Sequence, residues 1–198
     1  MTDRAPSRFS RPRARERVLL VARDLFYNEG IQAVGVDRIA TDADASKATL
    51  YAHFGSKDGL VASYLDRHME RTRARLERRL EAHDGDGRSK ILDLFDALAE
   101  WHGDDGFRGC AFVKASSELT DPEHPGREIG RVHRDWIRGV FAELAAESGA
   151  ADPPTAAAQL LMLFDAATVS AYVDGLADAA KIARDAADRV IASWSAAA

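Results

Sequence analysis

At 198 residues the chain has room for one large domain or two small ones, and its 46% hydrophobic and 30% charged content excludes wholesale disorder and a fibrous chain. The single cysteine, Cys110, excludes an internal disulfide scaffold and a Cys-rich zinc module. The net charge of −5 conceals an asymmetry: through Arg79 there are 16 Lys+Arg against 11 Asp+Glu, and from Leu80 onward 11 against 21. A basic N-terminal segment on an acidic body implies two tasks, the first involving a polyanion. No cationic flank leads into an apolar run and a small-residue cleavage site, so the expected compartment is the cytoplasm.

Residues 1–13 carry Arg4, Arg8, Arg11 and Arg13 among Pro6, Ser7, Ser10 and Pro12, the composition of a disordered basic arm. From Arg15 to Glu29, Val18, Leu19, Ala22, Leu25 and Phe26 recur at helical spacing, and Gly30 is the stop. A short pattern follows over Val36–Ala43, then another over Ser46–Phe54 with Ser46 as its N-cap. From Ser56 a long helical period runs through Leu60, Val61, Tyr64, Leu65, Leu76 and Leu80 to about Ala82, where Asp84-Gly85-Asp86-Gly87 breaks it. Further helices are predicted over Ser89–Trp101, Cys110–Leu119, Ile129–Leu144, Thr155–Asp174 and Asp178–Trp194, with Pro122 and Pro125 punctuating a turn and Pro153-Pro154 opening a helix. No run of alternating strand-type residues and no internal repeat interrupts this, so the predicted fold is all-α. The expected organisation is an arm (1–13), a three-helix segment (14–60), a connecting helix (61–82) and a C-terminal helical bundle (88–198).

The first three predicted helices make a helix-turn-helix arrangement. Val36–Ala43 supports, Asp44-Ala45 turns, and Ser46–Phe54 is short and amphipathic enough to enter a major groove roughly 12 Å wide. Asp44 suits the turn because Asp tolerates the left-handed conformation better than most non-glycine residues. Here the sequence resembles the tetracycline-repressor (TetR) family of bacterial regulators, through Phe26, Gly30, Val36, Ile39-Ala40, the string Ser46-Lys47-Ala48-Thr49-Leu50-Tyr51-Ala52-His53-Phe54, and Ser56-Lys57 with Leu60. The resemblance spans about residues 14–65. It implies an N-terminal DNA-binding domain, a divergent C-terminal ligand domain and a homodimer that usually represses.

Carried over by position, Lys47, Ala48, Thr49, Tyr51 and His53 fall on the reading helix and Lys57 on the start of the next. Hydroxyls of Thr49 and Tyr51 can bond phosphate or base edges, His53 can donate to phosphate, and Lys47 and Lys57 neutralise backbone charge. Leu50 and Phe54 should point inward, and Arg38 on the supporting helix is either a further contact or a solvated arginine. The chain departs from the family where hydroxyl residues usually precede the second helix, having Val34-Gly35, and where the turn is usually glycine, having Asp44 with Asp42 nearby. Few phosphate contacts are therefore expected from this motif, and the arm is the candidate to compensate.

In the C-terminal body the Thr155–Val173 helix is apolar on most faces and must be buried on most sides; Gln159, Asp165, Thr168 and Ser170 and the lack of a basic flank argue against a membrane span. Its free face, with a last helix rich in Ala179, Ala183, Ala186 and Ala187, suits a four-helix dimer interface; the alternative is a monomer whose last helices close a bundle. Asp165 needs a partner, with three options: an arginine across the bundle, the exposed rim, or a ligand cavity. Candidate ligand contacts are Trp101, Phe107, Phe112, His133, Trp136, Phe164 and Asp165, though the aromatics are core residues and His133 a satisfied core histidine by default. Cys110 reads as a small buried hydrophobe, with Arg108 the only hint of a thiol sensor. Scattered His102, His124 and His133 support no metal site, and no nucleophile elbow or phosphate loop occurs, so neither cofactor nor catalysis is expected.

The leading reading is thus a dimer that presses two reading helices into successive major grooves of a palindromic duplex operator and is released by a small, largely apolar effector. The alternatives are a helical small-molecule binding protein or enzyme with a vestigial helix-turn-helix, and a DNA-binding activator.

Overall fold

The computed structural model describes residues 13–195. Among the described residues there are nine helices and no strand. The chain forms two compact units, divided after Tyr64 within the fourth helix. Most of the basic arm, residues 1–12, lies outside the described residues.

The first unit contains α1 (Ala14–Glu29), α2 (Val36–Asp42), α3 (Lys47–Phe54) and the start of α4 (Lys57–Glu81). α1 buries Val18, Leu19, Ala22, Leu25 and Phe26, the stripe read from the sequence, and ends at Gly30 with φ 96°. Ile39, Leu50, Phe54, Leu60, Val61 and Tyr64 close the core, and the connection contributes Ile31 and Val34. Each such side chain contributes about 1.5–3 kcal/mol by leaving water.

The second unit contains the rest of α4 with α5 (Gly87–His102), α6 (Ala111–Glu118), α7 (Pro125–Glu147), α8 (Pro153–Val173) and α9 (Ala179–Ser195). Its centre is a triangle of Phe95, Phe141 and Phe164, with ring centroids 5.7–6.2 Å apart. Arg79 ties α4 to α5 by forked bonds to Asp93 (2.7 and 2.8 Å) and to Glu100 (2.7 and 3.0 Å).

Two helices start earlier than periodicity indicated. Asp86 of the supposed break caps α5, its side chain accepting from Ser89 N at 2.9 Å. Pro125 is the first residue of α7 rather than turn punctuation, behind a cap in which His124 Nδ1 accepts from Gly126 N at 2.9 Å. Both follow from orphan N–H groups finding an acceptor, and an N1 proline has none to satisfy.

The expectation that α8 is buried on most sides holds for one face only. Ala157, Leu160, Leu161, Ala167 and Thr168 face the core, while Met162 and Val173 are each 70% exposed. α8 is long and apolar enough to cross a membrane by length and composition; here it packs between α7 and α9. In α9 the core face is Ala180, Ala183 and Ala187, where small side chains permit close approach, and Ile182 is exposed.

Asp165 takes the first of its three options, pairing with Arg134 of α7 at 2.5 Å. Burial pushes its carboxyl up, against the pull of Arg134. Burial likewise pushes the Cys110 thiol up, the opposite of what a reactive thiolate needs. His133, only 5% exposed, lies stacked on Phe112 and Trp136, and its Nδ1 has no hydrogen-bond partner, so it is not the satisfied core histidine of the default reading.

Burial, then the neighbouring His68, Arg73 and Arg134, pushes His133 down to about 4 from the ordinary 6.5. A depressed histidine favours the fold while neutral, so its contribution is complete above pH 6.5 and is lost as pH falls through 4. Between pH 7 and 4.5 this loss amounts to about 2–3 kcal/mol. In urea denaturation followed by tryptophan fluorescence, His133→Phe should lose about 2 kcal/mol less than the parent chain over that interval.

Candidate nucleic-acid interface

α2 ends in a left-handed turn of defined pattern. Ala45 N donates to Ala40 O (2.9 Å) and Asp44 N to Thr41 O (3.0 Å), while Asp44 adopts φ 47°. These are the paired bonds that close a helix around a left-handed residue, normally glycine. Arg17 of α1 then donates from Nε to Ala43 O (2.9 Å) and from Nη2 to Asp44 O (2.8 Å). The turn is therefore fixed from within by its backbone and from outside by a guanidinium.

α3 begins on Ser46, whose Oγ accepts from Thr49 N at 3.0 Å and lies 2.8 Å from Thr49 Oγ1. Leu50 and Phe54 are buried as expected, and Lys47, Ala48, Tyr51 and His53 are exposed, Tyr51 to 43%. Thr49 is half-buried, with its hydroxyl turned toward the cap. Gly55 ends α3 with φ 74°, Ser56 Oγ caps α4 by accepting from Gly59 N (3.0 Å), and Lys57 is half-buried there. At Gly59 an added Cβ would lie 2.1 Å from Phe54 O, so only glycine lets α4 start this close to the end of α3. α2 starts on Gly35 with no side-chain cap, as Val34-Gly35 implied.

Two of the basic side chains of this surface, Lys47 and Arg38, are held by acids. Lys47 Nζ contacts the Asp37 carboxylate. Arg38 is forked onto Glu29 (2.5 and 2.8 Å), with Asp42 3.6 Å away. Arg38 is thus neither an open cation nor a merely solvated one. From Val36 to Asp58 the positive charges are Arg38, Lys47 and Lys57, against Asp37, Asp42, Asp44 and Asp58, which makes the motif mildly acidic.

The description "Bacterial regulatory proteins, tetR family" fits residues 18–64, the stretch that carries this geometry. Among solved structures, SCO4454, a TetR-family transcriptional regulator from Streptomyces coelicolor, is 32% identical with a TM-score of 0.86, over 92% of this chain and 96% of that one. The chain belongs to the TetR family. A second TetR-family neighbour, described as a putative regulator from Streptomyces avermitilis, is 29% identical with a TM-score of 0.78, covering 89% of this chain and 99% of that one. The HTH-type transcriptional activator FasR of Mycolicibacterium smegmatis is 28% identical over 61% of this chain and 54% of its own length. The HTH-type transcriptional repressor NemR of Escherichia coli is 28% identical over 66% and 65%. The chain therefore spans only about half to two-thirds of these two relatives.

In this TetR-family chain the residues carried over by position lie on α3 and at the start of α4, with Lys47, Ala48, Tyr51 and His53 exposed and Thr49 and Lys57 half-buried, and Arg38 lies on α2. Sequence reasoning missed Arg17, Glu29 and Asp37. Their signal, charges of one sign opposite charges of the other, is meaningless until α1, α2 and α3 are packed. The candidate ligand residues fall into separate groups. Phe112, His133 and Trp136 stack together, Trp101 meets Phe107 edge-on at 5.0 Å, Phe164 belongs to the core triangle, and Asp165 holds Arg134. Tyr172 and His102 join the Trp101–Phe107 group, and neither was singled out beforehand as a ligand contact.

Removing the α3 cap with Ser46→Ala should cost about 1 kcal/mol, local to this unit. Amide exchange of α3 in the full chain should quicken roughly fivefold while the amides of α7 keep their rates.

Proposed function

We propose that the chain is a homodimeric DNA-binding transcriptional regulator, acting in the cytoplasm as a repressor that leaves a palindromic duplex operator when a small, largely apolar effector binds. The observation that carries this reading is the exposed face of α3, with Lys47, Ala48, Tyr51 and His53 outward on a helix anchored by Leu50 and Phe54. A short helix supported in this way is what major-groove reading needs. Lys47 and Lys57 serve phosphates, while Thr49 and Tyr51 serve base edges or sugar-phosphate oxygens.

Electrostatics sets the character of the binding. With Lys47 held by Asp37 and Arg38 by Glu29, phosphates must displace carboxylates from exposed ion pairs that are each worth at most about 1 kcal/mol. The motif then grips unspecific DNA weakly and depends on fit. Dimerisation is supported by the stripe Met162, Ala166, Val169 and Val173 on α8, spaced at helical intervals and exposed, and by the exposed Ile182 on α9. A row of large apolar side chains in water marks an association surface. Effector binding and operator binding then oppose each other by one coupling factor.

Binding to duplex pools of random sequence tests the reading: enrichment of a palindrome supports it, and failure to enrich any site sinks it. Lys57→Ala should weaken all duplexes about equally and lower the salt slope by about one, whereas Asp37→Asn, by releasing Lys47, should tighten unspecific binding roughly threefold to tenfold. Thr49→Ala should act on some bases more than others. Val173→Asp combined with Met162→Asp should yield a monomer in sedimentation and lose binding to the full palindrome while half-sites remain weakly bound.

A further inference from the structure

Where α4, α6 and α7 meet, polar chemistry is buried that the reading so far leaves unused. Phe112 of α6 stacks on His133 of α7 with centroids 4.2 Å apart and planes inclined by 25°, and Trp136 continues the stack at 6.1 Å and 24°. His68 of α4 meets the edge of Phe112 at 5.3 Å. Arg73 of α4 lies over the Trp136 ring, its guanidinium carbon 5.2 Å from the centroid, and donates from Nη2 to Val132 O at 3.0 Å, one residue before His133.

Two nitrogens in this cluster are buried without a hydrogen-bond partner, Arg73 Nε and His133 Nδ1, and the His133 side chain is more than nine-tenths buried. An orphaned buried polar group, donor or acceptor, costs about 1–3 kcal/mol, more when charged. The charged groups acting on His133 are His68, Arg73 and Arg134, cationic or able to become so, with no carboxylate among them. Arg134 is already engaged by Asp165. The cluster therefore combines stacked aromatic rings, an unfilled Arg73 Nε–H, an unpartnered imidazole nitrogen and an excess of positive charge.

We propose that Phe112, His133, Trp136 and Arg73 form a subsite for an aryl carboxylate, with its ring against the aromatic stack and its carboxylate oxygens accepting from Arg73 Nε and His133 Nδ1. Arginine is only a donor, so its partner must be an acceptor, and two oxygens on one planar group serve two donors. The local potential selects an anion over a neutral amide. This narrows the effector of the proposed regulator to planar aromatic acids. Its biological meaning rests on that reading, although the binding itself does not.

The test uses the full chain with sodium benzoate, benzamide and sodium acetate as probes, in calorimetry and in an NMR titration of the His133 imidazole. Benzoate should bind at least tenfold more tightly than either comparison probe and move the His133 titration upward, since an adjacent anion favours the imidazolium. Arg73→Met should abolish the preference over benzamide, and Arg73→Lys, which keeps charge but loses Nε, should retain part of it. Equal affinity for benzoate and benzamide, equal affinity for benzoate and acetate, no binding of benzoate, or an unmoved His133 would each overturn the proposal. Operator binding of the unliganded chain is measured separately. Loss of benzoate binding with operator binding intact refutes only the subsite, and the converse refutes only the regulator.

Discussion

The reading surface of the first unit depends on one tight turn. α2 and α3 can present a groove-sized face only if the chain reverses between Asp42 and Ser46, and that reversal runs through Asp44 at φ 47°. A left-handed conformation costs an ordinary residue about 1–2 kcal/mol, less for Asp. The bonds from Asp44 N and Ala45 N back into α2 offset this, and the guanidinium of Arg17 holds two carbonyls of the turn. The position of α3 thus follows from α1, which buries Val18, Leu19 and Phe26 and carries Arg17 on its other side. With Leu50 and Phe54 buried below, Tyr51 and His53 have nowhere to point but outward.

A second constraint is charge. The N-terminal part of the chain is basic by composition, yet the motif from Val36 to Asp58 is not, and its Lys47 and Arg38 are matched by Asp37 and Glu29. Exposed pairs of this kind add little stability, so in the proposed function their consequence is for an approaching phosphate. On that reading they replace a standing attraction by an exchange of partners, which rewards a duplex that fits over one that is merely anionic.

The C-terminal unit follows another logic. Its core is aromatic and aliphatic, and the polar groups in or beside it include Asp165 on Arg134, Thr168 donating to Phe164 O at 3.3 Å, His124 at the start of α7 and the partnerless Nδ1 of His133. The Asp165–Arg134 pair is half-buried, so it adds little net stability and mainly fixes how α7 and α8 meet. A buried imidazole among cationic neighbours stays neutral, and so remains sensitive to any anion that reaches it.

The helical class, the stripes of α1 and α7, the turn at Asp44 and the inward Leu50 and Phe54 were legible in the sequence, because each rests on spacing or on the conformational tolerance of one residue. The starts of α5 and α7 were not, since a cap is a hydrogen bond and Asp86 and His124 have other uses in other settings. Nor was the pairing of Lys47 with Asp37 or the stack of Phe112, His133 and Trp136, which unite residues from different helices. The amino-acid order by itself determined which residues prefer core or solvent and where helices bend or stop, for these are properties of neighbours along the chain. Tertiary packing alone decided which charges neutralise one another and which polar atoms are left buried without a partner, because both depend on distances across helices that local spacing does not encode.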